Sequence, residues 1–493
     1  MVGKERPNVL IFMTDQQQAS VTEAGHPCRL PNLDRIAAEG VRFNRAYPPM
    51  AHCCPARASM MTGLYPSQHG MYNNCLNDQA VNRSLNDGVE TFSEKLKDAG
   101  YDLYFSGKWH VSATENPVER GWKELFVGAP KGAIMGTRRQ RYQVDHEKYK
   151  AEQRRERQRG ELARPGWGHV KLYGASEMAY EELRDYEAVK RGIAQLDQLK
   201  SSCDPWCMYI GVTGPHDPFI IPEKYASMYE PKSIPLPPNY HDDLADKPGV
   251  YRKIRKVFQP FGDDEVRESI AHYWGYCTMM DDMFGEVLDT LEQNGQLDDT
   301  LILFLSDHGE HAGAHGLYCK GISMFEEGYR VPMIIRWPGG VSNPGRSCDA
   351  FVTLMDIAPT LLEAAGAKEL PRCAGRSLRP FLEDAGPPND WRDSVYAQCN
   401  GVEVFYTSRM VRTDRYKFVF HATDINELYD LEADPHEMRN IIDLPEMADV
   451  VERMYGKMWA HAFESEDTIF NPYVTVATAD LGPGLFGGSE SNS

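Results

Sequence analysis

Residues 8–13 read NVLIFM, a continuous apolar run that is followed within two residues by Asp15. The run does not alternate between apolar and polar residues, which is typical of a strand covered on both faces in a parallel α/β sheet. A second run, TLILFLSDHGE over residues 300–310, has the same character and leads directly into Asp307 and His308. The two runs predict buried strands whose carboxyl ends carry polar side chains.

The rest of the chain alternates between predicted strands and predicted helices. Further strands are expected at 102–110, 206–212 and 333–340, and helices at 30–43 (closed by Gly40), 91–101, 177–200 and 264–293. This alternation predicts an α/β fold in which helices cover a mostly parallel sheet and ligands bind at the carboxyl ends of the strands. Beyond residue 385, short alternating strands predict a small antiparallel sheet, with a helix near 444–463 packed on it.

The length of 493 residues exceeds the ~250–300 residues that one hydrophobic core usually organises, so we expect more than one domain. We assign residues 1–384 to a main domain, with a charged surface insertion at about 130–170. Residues 385–480 form a predicted C-terminal α+β subdomain, and residues 481–493 a loose tail.

The chain carries 53 basic and 72 acidic side chains, a formal net charge of −19. It lacks the domain-wide basic excess that nucleic acids require, so an anionic ligand would have to be bound by a few local cations. No apolar run reaches the roughly 18 residues of a membrane span. The N-terminus lacks a signal-peptide pattern, so the sequence as numbered predicts a cytoplasmic protein, or a periplasmic or secreted one if a leader was removed. Eleven irregularly spaced cysteines argue against a disulfide framework.

The acidic side chains at the strand ends suggest a cation site. Asp15 and Asp307 each follow a buried strand, and carboxylates at neighbouring strand ends can share one hard cation through oxygen ligands. For either aspartate alone, helix capping or turn formation explains the residue equally well.

Isolated cations and imidazoles lie in glycine-flanked turns. GKWH supplies Lys108 and His110, TGPHDPF supplies His216, and HGLYCKG supplies Lys320. Side chains two residues apart in an extended segment point the same way, so Lys108 and His110 could face one cavity. Each residue alone is better explained as a surface lysine or a satisfied buried histidine. Together they would supply donors for an anion and groups that transfer protons near neutral pH.

The stretch CCPARASMMTG, residues 53–63, has two thiols at the start of a predicted helix. Proline is favoured at the first helical position, so Cys53 or Cys54 would lie just before the helix and face its free N–H groups. That environment attracts anions and activates nucleophiles. A buried thiol beside a helix cap is the simpler alternative, because C-x-P-x-R alone is a weak string.

Taken together, these motifs resemble those of the type I sulfatases of the alkaline phosphatase superfamily. The resemblance runs from Asn8 to about Asn440 and rests on C-x-P-x-R, on GKWH and on SDHGE, supported by MTDQQ, GPHDPF and ELYDLEADPHEMRNI. It implies an alkaline-phosphatase-like fold, with residues 1–384 as the catalytic domain. It also implies hydrolysis of a sulfate ester, of a carbohydrate or of a small or aryl alcohol, to the alcohol and inorganic sulfate.

The resemblance implies that one thiol is a precursor. Cys53, at the head of the motif, would be oxidised to formylglycine by a formylglycine-generating enzyme, while Cys54 occupies the variable second place. The hydrated aldehyde, a gem-diol, would attack the sulfur of the ester and form a covalent sulfo-enzyme intermediate, which the second hydroxyl then resolves.

The resemblance also implies one divalent ion, Ca²⁺ by preference and Mg²⁺ or Mn²⁺ otherwise, and a set of residue roles. The implied metal ligands are Asp15, Gln16, Asp307, His308 and the oxygen of modified Cys53. The implied catalytic residues are Arg57, which holds the diol; Lys108 and Lys320, which bind sulfate; His110, the base that expels sulfate; and His216, the acid that protonates the leaving alcohol.

One departure from the family pattern concerns the first strand. Many sulfatases have two consecutive aspartates there, whereas this chain has Asp15–Gln16, a pair that also occurs in related phosphonate monoester hydrolases. Hydrolysis of a phosphonate monoester or phosphodiester at the same formylglycine is therefore the alternative function. The GKWH motif argues against it, because those relatives usually lack that lysine and histidine. A two-zinc phosphatase lacks a visible second ligand cluster, and a non-catalytic scaffold would leave the Lys and His set unexplained.

No transferable motif specifies the alcohol part of the substrate. We expect a sulfated sugar or a small sulfate ester, contacted at the rim of the site by His69, Asn73, Asn74 and His315 and by the 130–170 insertion. Whether the chain forms a homo-oligomer stays open.

Overall fold

The computed structural model describes residues 6–77, 79–128, 146–148, 150–152, 155–163, 168–402, 404–471, 473 and 476–486. Much of the insertion predicted at 130–170, and the end of the predicted tail, lie outside these residues. The domain boundaries given above stay predictions.

The strands are short and distributed along the whole chain. They are β1 (Asn8–Thr14), β2 (Val41–Phe43), β3 (Ala46–Tyr47), β4 (Asp102–Gly107), β5 (Lys123–Val127), β6 (Glu161–Ala163), β7 (His169–Lys171), β8 (Tyr173–Ser176), β9 (Trp206–Gly211), β10 (Phe219–Pro222), β11 (Thr300–Ser306), β12 (Met333–Arg336), β13 (Arg346–Cys348), β14 (Val352–Thr353), β15 (Ser394–Cys399), β16 (Ser408–Thr413), β17 (Tyr416–His421) and β18 (Glu427–Asp430).

Helices connect these strands. They are Pro31–Ala38, Cys53–Thr62, Pro66–His69, Phe92–Asp98, Arg184–Gln198, Glu223–Ala226, Gly249–Arg255, Asp263–Gln293, Glu326–Tyr329, Ile357–Ala364, Arg379–Leu382 and Ala448–Glu464.

The main sheet has the strand order β13–β2–β12–β11–β1–β9–β4–β5. Strands β11, β1, β9, β4 and β5 are parallel, and β12 runs antiparallel to both β11 and β2. The predicted fold class, a mixed and mostly parallel sheet between helices, is confirmed. The carboxyl ends of its parallel strands therefore meet at one edge of the sheet.

The apolar run of β1 is continuous because both faces of the strand are covered. Its side chains alternate between two cores, with Val9 and Ile11 in one and Leu10 and Phe12 in the other. The long helix Asp263–Gln293 contributes to the second core, and the helices Cys53–Thr62 and Ile357–Ala364 contribute to the first. The helix that carries Cys53 is thereby fixed against the central strands.

The C-terminal part contains the antiparallel sheet β15–β16–β17–β18, as predicted. Helix Ala448–Glu464 packs on it through an apolar cluster that includes Phe418 and Tyr455. Within the described ranges, no helix is both long and apolar enough to cross a membrane. The eleven cysteines are free thiols.

Two predicted helices are too long. The helix predicted at 30–43 ends at Ala38, and the chain continues as β2, because Gly40 passes so close to β12 that a Cβ atom would lie 2.3 Å from the Ile335 carbonyl oxygen. The helix predicted at 177–200 spans Arg184–Gln198, preceded by a separate 3-10 turn at Tyr180–Glu182.

Candidate active site

The ends of β1 and β11 bring two aspartates together. Thr14 pairs in register with Ser306, so Asp15 and Asp307 leave the sheet side by side. Both residues are fully buried, and the Gln16 backbone N–H donates to Asp307 Oδ1 at 3.2 Å. Burial and the repulsion from Asp15 raise the pKa of Asp307. Two neighbouring carboxylates that are both shielded from water require a positive charge nearby to offset their repulsion.

Arg57 supplies one such charge. It lies one turn after Cys53 on the same helix and is fully buried. Its Nη2 lies 3.0 Å from Asp15 Oδ2, and its Nε lies 2.7 Å from Asp307 Oδ2. Its Nη1 donates to the Tyr209 hydroxyl at 3.0 Å and to a backbone carbonyl of the 108–113 turn at 3.1 Å. The guanidinium therefore ties the helix to the ends of β1, β4 and β11 and to Tyr209 of β9.

Cys53 is the first residue of that helix, and its thiol faces the aspartates. Its Sγ lies 3.7 Å from Asp15 Oδ1 and 3.3 Å from His308 Nε2. Burial alone would raise the pKa of this thiol, but Lys108, Lys320 and His308 hold it well below its usual value. The surroundings of Cys53 stabilise a negative charge at this position.

Cys54 faces the opposite way. Its Sγ lies 3.4 Å from Cys75 Sγ and 3.4 Å from Asn74 Oδ1, in the apolar core. Burial and Cys75 raise the pKa of the Cys54 thiol well above its usual value. The two adjacent thiols therefore have opposite electrostatic environments.

His308 directs one ring nitrogen at the aspartates. Its Nδ1 is placed to donate to the Gly309 carbonyl at 2.9 Å. Its Nε2 then faces Asp15 Oδ1 and Asp307 Oδ1, each at 3.7 Å. A backbone carbonyl that fixes one imidazole nitrogen while the other points at carboxylates is typical of a histidine that binds a metal.

The donor set fits a divalent cation. Asp15, Cys53, Asp307 and His308 offer ligand atoms that all lie within 4.8 Å of one another. Carboxylate oxygens suit hard cations such as Ca²⁺, Mg²⁺ and Mn²⁺, and a bound cation would relieve the repulsion that raises the pKa of Asp307.

The turn after β4 places Lys108 and His110 beside this cluster. Gly107 has φ 111°, and a Cβ atom there would lie 1.9 Å from the Gly211 carbonyl oxygen, so the close approach to β9 requires glycine. Lys108 Nζ lies 2.5 Å from Asp15 Oδ2. His110 Nδ1 is buried and finds no hydrogen-bond partner among the described residues. That nitrogen is available to a ligand.

Lys320 and His216 close the other side of the cluster. Lys320 Nζ contacts His216 Nε2 and donates to Gln16 Oε1 at 2.9 Å. His216 Nδ1 lies 2.7 Å from the Asp217 carbonyl oxygen and 3.2 Å from its carboxylate. His216 Nε2 is therefore the nitrogen that faces the cluster, 4.0 Å from Asp15 Oδ1.

Glu310 and Asp217 are missing from the predicted site, although both lie in the quoted motifs SDHGE and GPHDPF. Glu310 is fully buried and accepts from the backbone N–H groups of Ala312 at 2.8 Å and Cys319 at 2.5 Å. Gln16 Nε2 donates to both carboxylates, to Asp217 Oδ1 at 2.9 Å and to Glu310 Oε2. These two acceptors fix the orientation of the Gln16 amide, so its oxygen faces Lys320.

The sequence offers one signal for Glu310: it is an acidic residue that follows Gly309 shortly after the end of β11. The sequence alone does not show which residue donates a hydrogen bond to its carboxylate. Burial and Asp217 raise the pKa of Glu310 to about 7. Asp217, Glu310 and Cys319 also lie within 4.8 Å of one another, but Gln16 already donates to both carboxylates. We therefore assign this group to positioning and not to a second cation.

Three of the four residues predicted at the substrate rim are buried inside the fold, which contradicts a rim position for them. Their polar atoms form hydrogen bonds within the fold. The partners are Ser59 and Met71 for His69, Gln79 and Val81 for Asn73, and Asn239 and Asp242 for His315. Asn74 is partly buried and precedes Leu76, which lines a cavity beside the site. The polarity of these side chains suggested exposure, but tertiary packing decides burial.

That cavity has a volume of about 190 Å³ and opens beside Lys108 and His110. Its walls come from the carboxyl ends of β4, β5 and β9 and from the start of helix Arg184–Gln198. It lies where ligands bind in sheets of this kind.

The sequence matches the family model described as Sulfatase over residues 7–367, and the model described as N-sulphoglucosamine sulphohydrolase, C-terminal, over residues 313–464. The first match covers well over half of the chain. The chain therefore belongs to the sulfatase family, as its motifs predict, and is a sulfuric ester hydrolase.

Several known proteins are similar over most of their length. The uncharacterized sulfatase YidJ of Escherichia coli (strain K12) is 30% identical over 464 residues, covering 92% of this chain and 86% of that protein. The choline-sulfatase of Rhizobium meliloti (strain 1021) is 30% identical over 472 residues, covering 89% and 83%. The solved phosphonate monoester hydrolase of Agrobacterium radiobacter has a TM-score of 0.75 at 24% identity, covering 93% of this chain and 96% of its own, and supports the fold.

We predict that Glu310→Gln weakens divalent-cation binding at the site. The new amide N–H₂ would face the amide N–H₂ of Gln16, which would have to reverse and direct nitrogen instead of oxygen toward Lys320. The reversed amide would also turn away the oxygen that we propose as a cation ligand, so the Ca²⁺ dissociation constant measured by calorimetry should rise, about tenfold for a loss of ~1.4 kcal/mol in binding.

The double variant Gln16→Glu with Glu310→Gln restores one donor and one acceptor at the contact with residue 310, but its new carboxylate faces Asp217, which accepts from Gln16 in the wild type. It should recover part of the affinity, which a double-mutant cycle with both single variants would quantify. Equal Ca²⁺ affinity in the wild type and in Glu310→Gln, or no recovery in the double variant, would contradict a positioning role for Glu310.

Proposed function

We propose that this chain is a formylglycine-dependent sulfatase that hydrolyses the sulfate ester of a saccharide or of another small alcohol. One observation carries the proposal: the thiol of Cys53 faces a buried cluster in which Asp15, Asp307 and His308 converge on one point. Arg57 fixes that geometry through both aspartates. The match to the N-sulphoglucosamine sulphohydrolase model supports a saccharide as the alcohol.

The proposal requires a modified residue and a metal ion. Formylglycine made from Cys53 would supply, when hydrated, a hydroxyl nucleophile with a second hydroxyl for release of sulfate. A divalent ion, Ca²⁺ by preference, would be held by Asp15, Gln16, Asp307, His308 and residue 53. When bound, it neutralises sulfate oxygens and lowers the pKa of the nucleophile. Cys53 is 1% exposed, so we infer that the formylglycine-generating enzyme acts before the chain folds.

Arg57 orients the nucleophile at position 53. The guanidinium binds both aspartates and lies one helical turn from residue 53, so it fixes the helix start against the strand ends. The position of Cys53 at the start of this helix adds its free N–H groups to the field that favours a negative oxygen there. Both effects act on the ground state, before any substrate binds, and so cost no reorganisation during the reaction.

Lys108 and Lys320 bind the sulfate from two sides. Lys108 Nζ contacts Asp15, and Lys320 Nζ contacts Gln16 and His216, so the two ammonium groups enclose the cluster. Both are largely buried, where each charge acts through a low dielectric and stabilises developing negative charge more strongly than in water. The sulfate is thereby held opposite residue 53.

His216 and His110 transfer the protons. Asp217 holds His216 Nδ1, which leaves Nε2 facing the cluster, where it can protonate the departing alcohol oxygen. His110 lines the same cavity as Lys108, and its buried Nδ1 has no hydrogen-bond partner among the described residues, so it can act as the base that releases sulfate. Burial would lower the pKa of His110, but the thiols of Cys54 and Cys53 raise it.

We predict that Cys53→Ala abolishes hydrolysis of an aryl sulfate, whereas Cys54→Ala retains it. Only the first variant removes the nucleophile, and both replace one buried thiol by the same methyl group. Intact-protein mass of the wild type, produced together with a formylglycine-generating enzyme, should show conversion of one thiol to an aldehyde. The mass should show no conversion in Cys53→Ala and conversion in Cys54→Ala. Sulfatase activity in Cys53→Ala would refute the proposal.

Phosphonate monoester hydrolysis is the second candidate, because the Asp15–Gln16 pair and a structural neighbour both favour it. Lys108 and His110 favour sulfate. We predict that kcat/KM for an aryl sulfate exceeds kcat/KM for the matching aryl phosphonate in the metal-loaded enzyme. The reverse order would make phosphonate hydrolysis the main activity.

We predict that His216→Ala affects poor leaving groups most. A general acid contributes about 10²–10⁴-fold when the leaving alcohol needs a proton and little when it does not. A series of aryl sulfates of rising alcohol pKa should therefore show a steeper fall of kcat/KM in His216→Ala than in the wild type.

His110→Ala is the comparison variant, because its proposed step follows departure of the alcohol. Its loss in kcat should not depend on the leaving group. If the logarithm of kcat/KM falls with the same slope against alcohol pKa in the wild type and in His216→Ala, His216 is not the general acid.

A further inference from the structure

The cavity beside the proposed site has walls of one charge sign. Its lining includes Lys108, His110 and Arg184, and the described residues that line it include no carboxylate. This composition is unusual in a chain with a formal net charge of −19. A larger cavity of about 470 Å³, between helix Asp263–Gln293 and the loop after β18, has a mixed lining of three glutamates, Arg330 and three histidines. Anions are therefore favoured in the smaller cavity.

Lys108 and Arg184 differ in whether their charge is already compensated. Lys108 Nζ lies 2.5 Å from Asp15 Oδ2. Arg184 is exposed and forms no ion pair within the described part of the chain. Its acidic neighbours on the helix are engaged elsewhere: Asp185 accepts from two backbone N–H groups at 2.7 and 2.8 Å, and Glu187 binds Arg191 at 2.7 Å. Arg184 thus leaves an uncompensated positive charge at the wall of the cavity.

Arg184 is held at that wall by its surroundings. Its Cζ lies 5.9 Å from the centre of the Phe126 ring, at the end of β5. It also lies over Gly128, where an added Cβ atom would be 3.8 Å from the guanidinium carbon. The planar guanidinium can then offer paired N–H donors to a carboxylate or a sulfate.

The cavity lining combines these cationic groups with large apolar side chains. Leu76, Trp109 and Val127 line the cavity, and the Trp109 ring is fixed because its Nε1 donates to the Glu115 carbonyl at 3.0 Å. Such a wall suits the face of a sugar or aryl ring. A ligand that fills the cavity would thus meet Lys108, Arg184 and apolar surface in one small space.

We propose that Arg184 binds a second anionic group, a carboxylate or a sulfate, on the alcohol part of the substrate. The preferred substrates are then sulfate esters that carry two negative groups on one small ring. This inference rests on the proposed function, because it assumes that the scissile sulfate lies between Lys108 and residue 53.

Binding and turnover test the inference separately. The ligands are 4-nitrophenyl sulfate and its two ring-carboxylated isomers with the carboxylate ortho or meta to the ester. Binding is measured by calorimetry on metal-loaded Cys53→Ala protein, which cannot turn the ligands over. In this protein at least one carboxylated ester, a dianion, should bind more tightly than 4-nitrophenyl sulfate, a monoanion. Adding Arg184→Gln should remove about tenfold of that preference, since a hydrogen bond to a charged group contributes about 1.5–3 kcal/mol.

Arg191→Gln is the matched control, because Arg191 is an exposed arginine on the same helix that binds Glu187. It should leave the preference unchanged, and Arg184→Lys should keep part of it. Equal binding of the carboxylated esters and of unsubstituted 4-nitrophenyl sulfate, or the same loss in Arg184→Gln for both, would overturn the inference. Wild-type enzyme that binds the carboxylated ester through Arg184 but does not hydrolyse any sulfate would contradict the proposed function and leave the anion subsite standing.

Discussion

A single buried guanidinium, that of Arg57, holds the site together. It joins Asp15 and Asp307, which are fully buried and would otherwise repel each other at the ends of adjacent strands. Removing charges from water is expensive, and breaking one partner out of a buried group leaves an uncompensated charge. The position of the Cys53 helix, and with it the position of the proposed nucleophile, follows from this pairing. The same two carboxylates are the proposed metal ligands, so the groups that fix the helix would also bind the cation.

Around this centre, each proposed role follows from which element carries the residue. The sheet supplies acids at the carboxyl ends of parallel strands, and the helix supplies residue 53 at its N-terminal end, where negative charge is favoured. Turns after β4, β9 and β11 supply Lys108, His216 and Lys320 around the cluster. Glu310 and Asp217 hold the Gln16 amide from behind. In our proposal, the cavity lined by Arg184 binds the alcohol part of the substrate, which the family motifs do not specify.

The central fold could be predicted from sequence because the short apolar runs of β1 and β11 are typical of strands covered on both faces. Cys53, Asp15 and Asp307 could be found because helix-start and strand-end positions are encoded locally, and the family motifs joined them. The short strand β2 could not, because it depends on how closely Gly40 approaches β12. The rim positions predicted for His69 and His315 were wrong for a similar reason, because tertiary contacts bury both side chains. The role of Glu310 could not be predicted, because the sequence does not show that its carboxylate accepts from the Gln16 amide.

A crystal structure of the mature enzyme, produced with a formylglycine-generating enzyme and soaked with Mn²⁺ for anomalous scattering, tests the central claim most directly. The account predicts aldehyde or diol density at residue 53 and one anomalous peak bound by Asp15, Gln16, Asp307 and His308. An intact thiol at residue 53 together with a metal peak away from these four side chains would contradict it.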